Sequence, residues 1–124
     1  MNRDDKPDYG RLNSLLGRML EFNRARNWSQ FHNPKDLAIS LSLEASEVLE
    51  HFQWKSDEEM KSHLAVHGDK VGDELADVLY WVLLMSDYFG IDLPTALDRK
   101  MGENEAKYPL VKSKNSHAKY DELA

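Results

Sequence analysis

Two stretches decide the fold: SLSLEASEVLEHFQW at residues 40–54 and VGDELADVLYWVLLM at residues 71–85. Each sets apolar residues at helical intervals around a pair of acids three apart, Glu44 and Glu47 in the first, Glu74 and Asp77 in the second. At that spacing the two carboxylates of a pair project from adjacent turns of one helix face. Acids so placed are most often a solvated surface. Here they are embedded in the most apolar helices of the chain, where extra acids are hard to keep outside. If the two helices are antiparallel neighbours, four carboxylates converge.

Working outward, Leu12, Leu15, Leu16, Met19 and Phe22 recur at threes and fours and predict a first helix from Tyr9 to about Arg26. NWSQFHNP breaks the period. Asn33, Pro34 and Asp36 form a helix start, so the second helix runs from about Pro34 to Phe52 with Leu37, Leu41, Ala45, Val48 and Phe52 inward. Ser56 and Glu59 resemble a capping box opening a short helix that ends before a turn at Val66, His67 and Gly68. A fourth helix, Asp69 to Phe89, carries Val71, Leu75, Val78, Val82, Met85 and Phe89 on one stripe and stops at Gly90. Asp92 and Pro94 start a fifth that reaches about Lys107, and the polar stretch after Pro109 is expected to be a mobile tail. No alternating pattern of paired strands and no solenoid repeat is found. The expected fold class is all-α, a bundle of four to five helices in one domain, residues 1–110, with a tail at 111–124.

Composition narrows the function. The 124 residues are 41% hydrophobic and 31% charged, a globular balance with room for one modest core. A net charge of -6, from 22 acids against 16 bases, repels a phosphodiester polymer, so no nucleic-acid partner is expected. With no cysteine, thiolate chemistry and disulfides are excluded. MNRDDKPDYG lacks a signal-like apolar stretch and the run Val78 to Met85 is too short to cross a bilayer, so a cytoplasmic protein with no membrane partner is expected.

Carboxylate oxygens are hard donors suited to Mg²⁺, which fills its octahedron with water and phosphate oxygens. A di-iron bundle needs Glu-x-x-His, and none of the five histidines has Glu three residues before it. His51, one turn after Glu47, is read mainly as a packing or surface histidine. HExxH, GxxxxGK and GxGxxG are all missing, which leaves metal plus basic side chains to handle any phosphate. Arg99, Lys100 and Lys107 are candidates for neutralising phosphate and equally plausible as solvated residues. Trp28 and Trp54, at a loop and a helix end, and Tyr80 and Trp81, one turn past the acids, are aromatics on which a base could stack, although bundle aromatics are more often core.

The segments RNWSQFHNPKDLAISLSLEASEVLEHFQWK, DELADVLYWVLL and DLPTALDRKMGENEAKYP together resemble the MazG-like all-alpha nucleoside triphosphate pyrophosphatases, and within them the dCTP pyrophosphatase branch. A bare ExxE with ExxD is a weak signal; joined to WxQFH, FQWK and K-x-x-x-N-x-x-x-YP it is specific. The resemblance implies hydrolysis of a deoxynucleoside triphosphate, dCTP or a modified dCTP, to monophosphate and pyrophosphate. It implies Mg²⁺, with Mn²⁺ as substitute, at Glu44, Glu47, Glu74 and Asp77, and a homotetramer. The base is implied to be held by Trp28, Phe31, His32, Trp54 and Trp81, with Lys100 and Asn104 also at the substrate. Met19 stands where the branch often has histidine and Trp81 where it often has tyrosine, which leaves base choice open. A broad-specificity or dUTP-directed pyrophosphatase, and a non-catalytic helical module, are the rival readings.

Overall fold

The computed structural model describes residues 7–123; residues 1–6, which open the stretch read above as lacking a signal, and residue 124 lie outside it. Among the described residues the chain is helical without strands: α1 Leu12–Ala25, α2 Pro34–Glu50, α3 Asp57–Phe89, α4 Leu93–Lys107 and the single turn α5 Leu110–Ser113, with short 3-10 turns between. It divides into two units, one reaching Phe89 and one from Gly90 onward.

In the first unit α2 and α3 pack along their lengths and α1 lies on α3. The helix starts follow the local chemistry. Asn33 Oδ1 accepts from the Asp36 amide at 2.9 Å, with Pro34 in the first turn of α2. The Ser56 amide donates to the Glu59 carboxylate at 3.1 Å and the Glu59 amide to Ser56 Oγ at 3.2 Å, and donation from the Ser56 backbone, then its hydroxyl, holds the Glu59 carboxyl below its ordinary range. Helix α3 ends on Gly90 at φ +67, a conformation glycine adopts without strain.

Two expectations change. The turn at Val66 to Gly68 is absent; α3 runs on as one helix with a single non-helical residue, His67 (φ -117, ψ 21), so the short third and long fourth helices are one kinked element. A glycine inside an amphipathic run costs helix stability without forcing a stop, and packing against α2 outweighs it. The inward stripe of α3 also shifts. Val71 and Leu84 are buried while Leu75, expected inside, is 55% exposed. A helix apolar nearly all round does not declare by periodicity which side is covered. The covered side here carries Glu74, with Asp77 exposed beside it.

Packing of α1 on α3 is fastened by a polar contact. Asn23, 4% exposed, donates from Nδ2 to the Met19 carbonyl at 2.9 Å and to the Tyr80 hydroxyl at 2.8 Å. Leu12, Leu15, Met19 and Phe22 face Ala76, Leu79 and Leu83 across an apolar groove of about 410 Å³.

In the second unit Asp92 caps α4 through the Thr95 amide at 3.1 Å. The stretch after Pro109 carries α5 and turns back so that Tyr120 lies edge-on to Tyr108 at 6.3 Å, with Lys107 Nζ 4.9 Å from its ring. The anchoring residue is twelve positions from its partner, beyond the reach of a local pattern.

Candidate metal centre and aromatic cavity

The register of α2 against α3 brings the acids together. His51 meets His63, Glu44 meets Glu74 and Asp77, and Leu37 shares a cavity with Trp81, so one number falls as the other rises and the helices run antiparallel. Oxygens of Glu44, Glu74 and Asp77 lie within 4.8 Å of one another, a spacing that one cation can span. Glu47 is outside that triad but within carboxyl-to-carboxyl hydrogen-bonding reach of both Glu74 and Glu44.

The electrostatics are those of a site short of positive charge. Glu44 is raised above its ordinary range, first by burial, then by the hydrogen bond and charge of Glu47, with Trp81 drawing it partly back. Glu47 is raised chiefly by its hydrogen bond with Glu74, and Asp77 by desolvation, then by the charges of Glu44 and Asp73. Glu44 Oε2 is shielded from solvent without a hydrogen-bond partner. A buried, unpartnered carboxylate oxygen beside two further carboxylates is a donor set of hard oxygens, and it fits a divalent cation. Among the described residues Lys70 makes no ion pair with Glu74; the His51 ring approaches it instead, Nε2 lying 3.9 Å from Glu74 Oε1.

One end of this cluster adjoins an open cavity of about 250 Å³ lined by Trp28, Phe31, His32, Asp36, Leu37, Ser40 and Trp81. Four residues named from the sequence, Trp28, Phe31, His32 and Trp81, therefore share one space. Asp36 and Ser40 are additions. They lie one turn apart on α2, in helical step with Glu44, and that spacing was the signal available for them. Trp81 belongs to both features, facing the cavity and neighbouring the Glu44 carboxyl.

The other three named residues stand on other elements. Trp54 is 93% exposed at the end of the segment after α2, with a left-handed backbone (φ +66). Lys100 and Asn104 lie on α4 in the second unit, where Lys100 Nζ pairs with Glu103 at 3.1 Å and Arg99 approaches the same carboxylate at 4.0 Å.

Comparison with known proteins bears on the same features. The chain is 37% identical over 105 residues to dCTP pyrophosphatase 1 of Rattus norvegicus, covering 83% of this chain and 62% of that protein. It is 36% identical, with the same coverage, to dCTP pyrophosphatase 1 of Homo sapiens. The chain thus spans about three fifths of the length of these curated relatives. A crystal structure of a pyrophosphatase from Archaeoglobus fulgidus superposes with a TM-score of 0.76 at 38% identity, over 86% of this chain and 99% of that one. The model of the MazG-like family matches residues 39–123, from the first turns of α2 through both acid pairs to the end of the described chain, and the protein belongs to the MazG-like family.

Proposed function

We propose that the protein is a nucleoside triphosphate pyrophosphohydrolase that cleaves a deoxynucleoside triphosphate, dCTP or a modified dCTP, to the monophosphate and pyrophosphate. The observation that carries this reading is the adjacency of the two halves of a nucleotide site: three converged carboxylates and an aromatic cavity of about 250 Å³, sharing Trp81. The names of the rat, human and archaeal relatives support the same chemistry. Residues 1–110 form the catalytic domain in this reading and 111–124 its tail.

Glu44, Glu74 and Asp77 hold the cation, with Glu47 beside them, and Mg²⁺ is the ion such oxygens favour, Mn²⁺ its substitute. An ion held by these residues would offset negative charge on the triphosphate and on the departing pyrophosphate. The chain supplies the rest. Trp28, Phe31 and Trp81 offer faces against which a base stacks, and His32, Asp36 and Ser40 offer polar edges. Hydrolysis adds water at a phosphorus of the α–β anhydride, breaks its bond to the bridging oxygen and releases a proton. A carboxylate must take that proton, and Glu44 and Glu47 are the candidates; Glu47, outside the converged triad, is the freer of the two. Exposed Trp54 and the α4 residues Lys100 and Asn104 are kept as substrate contacts on the motif alone.

The reading is tested by pyrophosphate release across the common and modified dNTPs and NTPs with Mg²⁺. Cytosine deoxynucleotides are expected to lead. Equal rates on all bases, or preference for dUTP, would replace the substrate assignment, and no release from any nucleotide would leave a binding module. Trp81→Ala and Trp28→Ala are each expected to raise KM about tenfold, the scale of one lost base stack, with a smaller fall in kcat. An unchanged KM in both would remove the base from this cavity.

Assembly is part of the proposal. Of the apolar residues Leu79, Trp81, Val82, Leu83 and Leu84 on α3, only Leu84 is buried, at 4% exposed, and Leu79 remains 39% exposed. Greater exposure falls on Ile39, Leu43 and Leu49 of α2 and on Leu75 of α3, at 48, 62, 60 and 55%. Apolar side chains exposed along two packed helices need cover. A homo-oligomer, a tetramer in this reading, is expected in light scattering at micromolar concentration, and Leu43→Lys is expected to shift it toward smaller species. A monomeric wild type overturns the assignment.

A further inference from the structure

Three histidines lie in a line beside the acid cluster. His51, at the end of α2, has Nε2 3.9 Å from Glu74 Oε1 and Nδ1 2.8 Å from His63 Nε2 on α3. The His63 ring is 5.0 Å from that of His67, which is exposed at the kink of the same helix. The three do not form a tripod for a second metal. Among the described residues the acids alone bring three donors within 4.8 Å.

The line nevertheless has a direction. One nitrogen of the 2.8 Å His51–His63 pair must donate and the other accept. If a neutral His51 donated from Nδ1, its bare Nε2 lone pair would face the Glu74 carboxylate, two acceptors opposed in a part-buried space. If His63 donates, His51 keeps its proton on Nε2 and presents an N–H to Glu74. The second arrangement is electrostatically favoured. We propose that His63 is a positioning residue: by donating from Nε2 to His51 Nδ1, it fixes the His51 tautomer and orientation that steady Glu74 as a metal ligand. Burial, and then the charge of Lys55 and the neighbouring rings of His67 and His51, hold His63 below its ordinary pKa, which keeps it a neutral donor. Outer partners of this type are worth about 10–100-fold in metal affinity. The inference rests on the reading of Glu74 as a ligand.

The test uses the full chain. Imidazole ¹⁵N shifts of the wild type without metal are expected to show His51 as the single Nε2–H tautomer; a protonated Nδ1 overturns the proposal before any variant is made. His63→Phe keeps the ring against Phe52 and His67 but loses the donor, whereas His63→Gln restores an N–H. By calorimetry, Mg²⁺ affinity should fall about tenfold in the Phe variant and stay within about threefold of wild type in the Gln variant. Equal affinity in all three, or equal loss in both variants, overturns the positioning role while leaving the metal site standing. A wild type that binds no Mg²⁺ overturns both, and should the Phe variant not fold, the wild-type tautomer and the Gln variant decide.

Discussion

Asp77→Asn is expected to lower pyrophosphate release by at least about a hundredfold, and excess EDTA to abolish it, the effect of a cation-held transition state losing a ligand or the ion itself. Asp77 is the residue to change because it contributes charge from the α3 side of the triad without any partner among the described residues that would make it structural. The amide keeps the shape and one acceptor oxygen while removing the charge, so the helix contacts survive. Glu47→Gln should match it, for a different reason: Glu47 lies beside the triad, in contact with Glu74 and Glu44. Circular dichroism must show both variants folded. Near-normal rates in the two, or turnover in EDTA, would place the chemistry elsewhere.

What the sequence makes legible is what short-range chemistry controls. Asn33, Ser56 and Asp92 cap the helices they were expected to cap, and Gly90 closes α3 in the left-handed conformation. Three of the four acids converge because a two-helix hairpin with a short link leaves an antiparallel register as the natural pairing, and that register sets Glu44 opposite Glu74 and Asp77. Less visible were the features fixed by what packs on what. Gly68 looked like a break, yet a helix held along its length by α2 absorbs it as a kink at His67. The apolar stripe of α3 pointed to Leu75 because α3 is apolar on several sides, and only the partner helices choose among them. His63 was silent for the same reason: four residues before His67 it is an ordinary helical spacing, and its meaning comes from His51 across the register.

The same acids that bind a cation should cost the metal-free protein stability, and the cost has a sign that pH can read. Glu44, Glu47 and Asp77 all have folded-state pKa values raised above their ordinary ones, so the folded chain retains protons that the unfolded chain releases. For a raised group, stability is fully present below the unfolded pKa and is lost as pH rises from there through the folded pKa. These three carboxylates therefore favour a higher melting temperature near pH 5 than near pH 7.5, opposed by His63, whose lowered pKa removes stability as pH falls through the same window, and Mg²⁺ is expected to offset the carboxylate contribution at pH 7.5 by binding the folded state, an effect of about 2.7 kcal/mol at a hundredfold excess over Kd. Glu47→Gln isolates the contribution. It removes one charge from a repelling cluster with little change of shape, so without metal at pH 7.5 it should melt at or above wild type, while at pH 5 the two converge. With Mg²⁺ the order reverses, because the variant gains less. A structural role for Glu47 gives the opposite pattern: a lower melting temperature than wild type without metal, and an equal gain with it. That outcome would move the cation away from the junction of α2 and α3, whereas the reversal ties destabilisation, metal binding and turnover to one set of carboxylates.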